Sequence, residues 1–177
     1  MAGVTERFSD WVQYWGEFLT IKLTGKDPPH GWRGRALRFP VYLYDWGLGG
    51  LLGGRILVLG TVGRKTGNRR ETPLEFLHDE ATDTFFLMAG WGGRTDWFRN
   101  LVAQPRVRVR VGRRRFQADA RVLGVEEGAE VLRSWVERTP RLAPLLERDS
   151  GVHYDGTLAC AHEIAGLYGI AALQPLS

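Results

Sequence analysis

The sequence predicts an α+β fold in which about six mostly antiparallel strands form a small β-barrel with flanking helices. Three observations favour this fold. Short apolar runs are separated by turn-forming sequences, as in antiparallel hairpins. Segments of helical periodicity lie between some of these runs, so that strands and helices occur in mixed order. A length of 177 residues suits one domain with a single sizeable core.

An amphipathic helix is predicted near the N-terminus, over residues 7–23. Large apolar residues recur there at helical spacing, namely Phe8, Trp11, Val12, Trp15, Phe18 and Leu19. Packing of this helix on the barrel is one interpretation. Contact with a membrane surface is the other, since aromatic side chains favour the interface between lipid and water.

The next segments connect this helix to the barrel. Residues 26–34 (KDPPHGWRG) are rich in proline and glycine, which predicts a linker. Residues 37–54 are apolar and aromatic but interrupted by glycines, which favours a short helix followed by a loop. The chain therefore divides into a helix and cover segment at 1–54 and a barrel domain at 55–177.

Strands are predicted from apolar runs and from alternation. The run RVRVRV alternates throughout, so that its three arginines share one face. The sequences GRKTGNR and DEATD are the turns that separate the first three runs. The predicted strands cover residues 55–62, 70–78, 84–89, 106–111, 115–123 and 169–176.

Two internal helices are predicted between these strands. Thr95 or Asp96 can cap the first helix, which ends before Pro105. The second helix covers about residues 126–138 and ends before Pro140, because proline cannot continue a helix.

Composition limits the partners. A formal net charge of +4 favours anionic partners. No nucleic-acid partner is expected, because the chain has no recognised reader motif with an aromatic stacking platform. The four histidines stand apart without the spacing of metal ligands, so that no metal site is expected.

Cysteine usage and hydropathy indicate the compartment. Cys160 is the only cysteine, which excludes an intramolecular disulfide and suits a reducing cytoplasm. Charged residues interrupt the N-terminal apolar residues, so that neither a signal peptide nor a spanning helix is expected. We therefore expect a cytoplasmic protein, either free or peripheral at the inner face of the cell membrane.

The densest cluster of charge lies in GRKTGNRRETPLEF, residues 63–76. Two glycines free the backbone of this turn, and four cations can together bind one anion through charge-assisted hydrogen bonds. The cations are Arg64, Lys65, Arg69 and Arg70. The spacing differs from that of a Walker loop and from that of a Rossmann fingerprint. An ordinary hairpin with solvated charges is the alternative.

This stretch and a second one, MAGWGGRTDWFRNLVAQPRVRVRVG, resemble the deazaflavin-dependent nitroreductase family. That family includes F420H2-dependent quinone reductases and has a split β-barrel fold. The resemblance covers residues 57–123 closely and the flanks loosely. It implies an oxidoreductase that transfers a hydride from reduced coenzyme F420 to a hydrophobic acceptor, which is a quinone, a nitroaromatic compound or an activated alkene. The alternative is a non-catalytic or divergent split-barrel protein that binds FMN, haem or a lipid.

The resemblance also implies a set of cofactor-binding residues. The turn would hold the phosphate and acidic tail of F420 through Gly63, Arg64, Lys65, Thr66 and Arg70. The strand after it would run along the deazaflavin ring through Thr72, Pro73 and Leu74. A loop and the start of a helix would approach the phosphate from the other side through Ala89, Gly90, Trp91, Gly92, Gly93, Arg94 and Trp97.

The chain departs from the family pattern in the loop. Many members have a serine and a lysine where this chain has Gly90 and Trp91, and Arg94 could replace that lysine. The resemblance implies either a monomer or a homodimer.

Few residues of this chain are candidates for contact with the acceptor. Family tyrosines that line the acceptor pocket have only Tyr154 as a counterpart. Tyr154 and His153 are the candidate proton donors, with Tyr44 as a third. The pocket over the ring is expected to be lined by residues 37–54, Trp91 and the segment around Tyr154.

Overall fold

A computed structural model describes residues 39–46, 56–90 and 93–176. The predicted helix at 7–23, the linker at 26–34 and the predicted loop after the short helix lie outside these residues. The described elements, in chain order, are α1 (Phe39–Asp45), β1 (Ile56–Val62), β2 (Arg69–Glu75), β3 (Leu77–Asp79), β4 (Thr84–Ala89), α2 (Asp96–Ala103), β5 (Arg106–Val111), β6 (Arg114–Val122), α3 (Val125–Arg138), α4 (Leu142–Ser150), α5 (Leu158–Leu167) and β7 (Gly169–Pro175).

The strands form one curled antiparallel sheet in the order β2-β1-β5-β6-β7-β4-β3. Its two edge strands, β2 and β3, are consecutive in the chain and are separated only by Phe76. The first part of this bent segment pairs with β1 and the last part with β4, so that the edges of the half-barrel are joined. The predicted α+β split barrel is confirmed, and the break at Phe76 turns one predicted strand into two.

Alternation along the strands separates two cores. The inner face carries a cluster that includes Leu57, Leu59, Phe85 and Leu87, into which α2 also packs. The neighbouring residues of β4 and β7 point to the other face, where they contact α3, α4 and α5. Because side chains alternate between the faces of a strand, α3, α4 and α5 cover the outer face of the sheet, whereas α2 packs on the inner face.

Helix α1 confirms the predicted short helix and packs on the outer face of β1. Tyr44 is 4% exposed and contacts Val58. Its hydroxyl donates to the Ile56 carbonyl at 2.7 Å and accepts from the Gly112 amide at 3.0 Å. Beside it, the Arg110 guanidinium binds Asp45 of α1 and Glu71 of β2 at 2.6 and 2.8 Å. These contacts hold α1 against the barrel.

Helix α5 was not predicted from the sequence. Its residues are apolar over most of its length, and Cys160, Ala161, Ile164 and Ala165 are buried between the sheet and α3. A helix buried on several sides lacks the amphipathic period that identifies surface helices. The available signal was Thr157, whose side chain caps the helix by accepting a hydrogen bond from the Cys160 amide at 3.2 Å.

The turn of the hairpin between β3 and β4 is fixed by an ionic cluster around Asp83. This residue has a φ of 50°. Its carboxylate accepts hydrogen bonds from both terminal nitrogens of Arg114, at 2.9 and 2.7 Å, and lies 2.8 Å from His78 Nε2. The Arg114 guanidinium lies 5.0 Å from the centre of the Phe116 ring. Hydrogen bonds from Arg114, and then from His78, lower the pKa of Asp83 to about 2.

This lowered pKa predicts a pH dependence of stability. Because the folded pKa is below the ordinary value of 3.8, the contribution of Asp83 is fully present above about pH 4 and is lost as the pH falls towards 2. We expect Asp83→Asn to destabilise the protein at neutral pH and the difference from the native chain to shrink in this window. Asparagine tolerates the positive φ, so that it removes the charge with little backbone strain. Urea unfolding of both proteins from about pH 4 towards pH 2 measures the difference in their unfolding free energies. A difference that stays constant with pH would contradict the prediction.

Candidate functional site

The charged turn between β1 and β2 is tightly closed by its own backbone. The Gly63 amide donates to the Asn68 carbonyl at 2.8 Å, and the Gly67 amide donates to the Gly63 carbonyl at 2.8 Å. Gly67 has a φ of 68°, which favours glycine. A Cβ at Gly63 would lie 2.8 Å from the Thr66 hydroxyl. Both glycines of the motif are therefore required by the shape of the turn.

Arg64 joins this turn to helix α2. Its backbone amide and its Nη1 each lie 3.1 Å from Asn100 Oδ1, and Nη1 also lies 2.9 Å from Asp96 Oδ1. Asn100 is 3% exposed, and its amide nitrogen points to the Thr61 hydroxyl at 3.5 Å. The two sequence motifs, which are separated in the chain, thus meet at the start of α2. Arg64 has a structural contact beyond its expected role in binding the cofactor.

The other cations of the turn point into solvent. Lys65, Arg69 and Arg70 are exposed, as is Thr66. Together with Arg64 they make four cations in the turn, whereas the start of α2 contributes one carboxylate, Asp96, which Arg64 already contacts. The balance at this end of the barrel is positive, which suits an anionic ligand.

Strand β2 carries the residues expected beside the ring. Thr72 pairs with Leu59 and Pro73 with Val58, so that the two side chains lie on opposite faces. Leu74 faces the inner core, which it contacts. All three are half-buried. β2 is an edge strand, a position where proline is tolerated because no neighbour needs its missing N–H.

The loop after β4 is only partly described, because Trp91 and Gly92 lie outside the described residues. Ala89 is fully buried in the inner core, which leaves little of it for a ligand. Gly90 is half-buried, and Arg94 is exposed. Gly93 has a φ of 69°, and a Cβ there would lie 3.3 Å from the Phe98 ring.

Two aromatic residues of α2 are structural. Trp97 is 7% exposed and meets Phe98 edge to face, with ring centres 5.6 Å apart. The Phe98 ring lies so close to Gly169 that a Cβ there would be 2.4 Å from it. Trp97, expected at the cofactor from the resemblance, lies in the inner core, and Phe98 packs against Gly169 of β7.

The start of α2 contains an unsatisfied polar group. Thr95 is the N-cap residue, yet its side chain makes no cap hydrogen bond. It is 7% exposed, and its hydroxyl oxygen has no hydrogen-bond partner within the described part of the chain. A buried hydroxyl without a partner costs about 1–3 kcal/mol. An anion at this helix terminus would satisfy both the hydroxyl and the free amides of the first turn. The residues present therefore fit a phosphate-bearing cofactor.

The candidate proton donors lie elsewhere. The Tyr154 side chain packs in the outer cluster with α3, α4 and α5, and burial raises its pKa. His153 is 83% exposed and its Nδ1 lies 2.8 Å from Glu147 Oε1. No contact within the described ranges joins either residue to the turn or to β2. Tyr44 uses its hydroxyl in two backbone hydrogen bonds, and burial raises its pKa as well.

Residues 39–46, 56–90 and 93–176 assemble no group of three or more potential metal-ligand side chains. None of their helices combines the length and the apolar composition needed to cross a membrane.

Sequence reasoning missed the contact between Arg64 and Asp96 and the buried Thr95 hydroxyl that has no hydrogen-bond partner among the described residues. Asp96 and Asn100 are four residues apart, so that a helix places them on one side. That spacing could have indicated a shared partner. The orphaned Thr95 hydroxyl depends on the three-dimensional packing around it and has no signal in the sequence.

Comparison with known proteins gives one family match. The family model described as F420H(2)-dependent quinone reductase matches residues 44–149. This range contains the turn, β2, the loop and α2. No curated protein matches the chain.

Solved structures share the fold at low sequence identity. An F420-H2 dependent reductase is 23% identical over 68% of this chain and 94% of its own, with a TM-score of 0.50. A structure described as a domain-swapped dimer is 23% identical over 68% of this chain and 80% of its own, also at 0.50. A protein of unknown function from Agrobacterium tumefaciens is 18% identical over 70% of this chain and 49% of its own, at 0.51.

Proposed function

Because the chain belongs to the F420H2-dependent quinone reductase family, we propose that it reduces a hydrophobic quinone with F420H2 bound between the charged turn and the start of α2. The chain is an F420-dependent reductase, and the choice of acceptor is the part proposed. The observation that carries the site is the junction at Arg64, which brings the turn to within hydrogen-bond distance of α2.

The turn and α2 would bind the anionic part of F420. Lys65 and Arg70 are exposed, so that they can turn towards a phosphate or carboxylate. The Thr95 hydroxyl, which lacks a partner among the described residues, would bind the phosphate at the helix terminus. Arg64 would neutralise Asp96, which otherwise would repel the anion.

Strand β2 would orient the ring. The pyrrolidine of Pro73 gives the strand a rigid surface without an N–H group, and Thr72 offers a hydroxyl on the opposite face. Arg110 contacts Glu71, the residue just before Thr72, and so holds this part of β2 against α1. A ring bound here would be excluded from water on the side of the barrel, which suits transfer between stacked partners.

The reaction balances as a two-electron reduction. When bound, reduced F420 would supply a hydride and release one proton to solvent, and the quinone would gain that hydride and one proton to become a hydroquinone. The proton can come from solvent, since neither Tyr154 nor His153 contacts β2 or the turn in the described residues. The division into a cover segment at 1–54 and a barrel at 55–177 is part of the same proposal.

The test mixes the protein with reduced F420 and a menaquinone analogue in a stopped-flow spectrophotometer. We expect oxidation of F420H2, with NADH and NADPH giving none, because the chain has no dinucleotide fingerprint. The same experiment with nitroaromatic and enone acceptors defines the acceptor class. Tight binding of F420 without oxidation by any acceptor would instead indicate a carrier. Binding of FMN or haem, without binding of F420, would reject the cofactor.

A further inference from the structure

A cavity of about 270 Å³ opens beside the candidate site, where β6 leads into α3 and where α5 leads into β7. Gly93 and Phe98, from the loop and from α2, form its third side. Asp96 and Asn100 of the same helix contact the charged turn. The start of α2 therefore separates the cavity from the turn.

The lining is uncharged. None of the described residues around this cavity carries a charged side chain, and five of them are glycines, whose backbone groups contribute polar surface. The hydroxyl of Tyr168 is the polar side-chain group among them, and burial raises its pKa to about 12, so that it is neutral near pH 7. In a chain with 25% charged residues, such a lining favours a ligand without charge.

Apolar side chains at this cavity are open to solvent. Val122, Val125 and Leu167 are 46%, 43% and 46% exposed. All three line the cavity. Apolar groups gathered around one concave opening mark a binding surface more often than isolated exposed ones do.

The glycines give the cavity its space. Gly128 lets α3 approach α5 and β7 closely, since a Cβ there would lie 3.4 Å from Ile170 and 3.7 Å from Ala165. At Gly166 a Cβ would have no atom within 4 Å. The cavity is thus tightly packed at Gly128, whereas its lining at Gly166 is exposed and has space for a side chain.

The volume indicates what part of a ligand fits. Pockets for complete small molecules usually have about 300–1,000 Å³. A cavity somewhat below this range suits one portion of a larger molecule. An uncharged, apolar portion of a quinone is its hydrocarbon tail.

We propose that this cavity binds the hydrocarbon tail of the acceptor. The identity of the acceptor rests on the proposed function, whereas the affinity of the cavity for a hydrocarbon chain does not. The tail would lie against Val122, Val125 and Leu167, and the start of α2 would separate it from the anionic part of the cofactor. The protein would then select acceptors by their chains as well as by their rings.

Gly166→Leu tests this proposal by filling the cavity from α5. The change has space for its Cβ and replaces glycine by a stronger helix former, so that folding should be preserved. Ala159→Leu is the matched control, because it adds a larger side chain at an exposed position near the other end of the same helix. Thermal unfolding of both variants verifies the fold.

Calorimetry on the cofactor-free protein compares a benzoquinone that carries a long alkyl chain with the same benzoquinone that carries a methyl group instead. We expect Gly166→Leu to raise the Kd for the alkylated quinone about tenfold or more, which corresponds to roughly two methylene groups losing their burial. The Kd for the methylated quinone and both values in Ala159→Leu should not change. With reduced F420, KM should rise for the alkylated quinone alone.

Unchanged affinity of Gly166→Leu for the alkylated quinone would overturn the proposal, and so would an equal loss for both quinones. A fatty acid of the same chain length separates the two sources of hydrocarbon. If the fatty acid alone loses affinity in Gly166→Leu, the cavity binds lipid and the acceptor tail is rejected. If the tail effect appears in calorimetry but reduced F420 is never oxidised, the proposed function fails and the cavity assignment stands.

Discussion

Asn100→Ala is expected to lower the free energy of unfolding by about 2–3 kcal/mol and to weaken F420 binding at the same time. Asn100 Oδ1 accepts two hydrogen bonds from Arg64, one of them from a charged guanidinium. Alanine leaves the Arg64 amide without its acceptor and leaves Thr61, which is 3% exposed, without the amide that faces it. The turn would lose its connection to α2, and the anion site would lose its shape. Chemical unfolding and titration with F420 measure the two effects.

Thr61→Val is the matched control. It removes the hydroxyl that faces the Asn100 amide nitrogen while it keeps the Asn100 oxygen that accepts from Arg64. F420 affinity in Thr61→Val should lie much closer to the native value than in Asn100→Ala. Equal losses of affinity in both variants would mean that Arg64 does not hold the turn in its binding form. An unchanged unfolding free energy in Asn100→Ala would contradict the structural role.

Lys65→Ala is expected to raise the Kd for F420 by about tenfold to a hundredfold, with little change in stability. A hydrogen bond between charged groups contributes about 1.5–3 kcal/mol, and the loss of one gives this range. Lys65 is exposed and lies at the tip of the turn, so that its removal disturbs no packing. The loss should be largest at low ionic strength, since salt screens the interaction that is removed. Titration of the protein with F420 at two salt concentrations measures both effects.

Arg113→Ala is the control for net charge, because it removes one exposed cation from the turn between β5 and β6. It should leave F420 affinity unchanged. If both variants weaken binding equally, only the overall charge matters and the turn is not a specific site. Arg64→Ala should differ from Lys65→Ala by also lowering stability, since Arg64 contacts both Asp96 and Asn100.

The sequence predicted most strands because their patterns are local. The alternation of RVRVRV places Val107 and Val109 in the inner core and the arginines on the other face, as expected. The break at Phe76 was missed, because no glycine, proline or turn sequence marks it between Leu74 and Leu77. The break lies where the segment stops pairing with β1 and starts pairing with β4. This change of partner is a property of the whole sheet.

The candidate site, like the fold, could be predicted from the sequence where its contacts are local. The charged turn and its glycines have a motif, and their geometry follows from residues close in sequence. The contact of Arg64 with Asp96 joins residues 32 apart, and nothing local to either specifies it. The pocket lining predicted from residues 37–54 and from the segment around Tyr154 likewise combined parts of the chain that are distant in sequence. α1 packs on β1, whereas Tyr154 packs with helices that cover β4 and β7, and β5 and β6 lie between these strands in the sheet.

The position of β7 in the sheet has a consequence for the order of folding. β7 is the last strand in the sequence, yet it lies between β6 and β4 and pairs with both. The β3–β4 hairpin therefore has no partner on its β4 side until residues 169–175 have left the ribosome. The pairing of β2 with β1, of β1 with β5 and of β5 with β6 does not require β7. These four strands can therefore pair earlier during synthesis. Closure between strands so distant in sequence is slow compared with hairpin formation. The nascent chain is thus expected to expose the apolar edge of β4 until synthesis of β7 is complete.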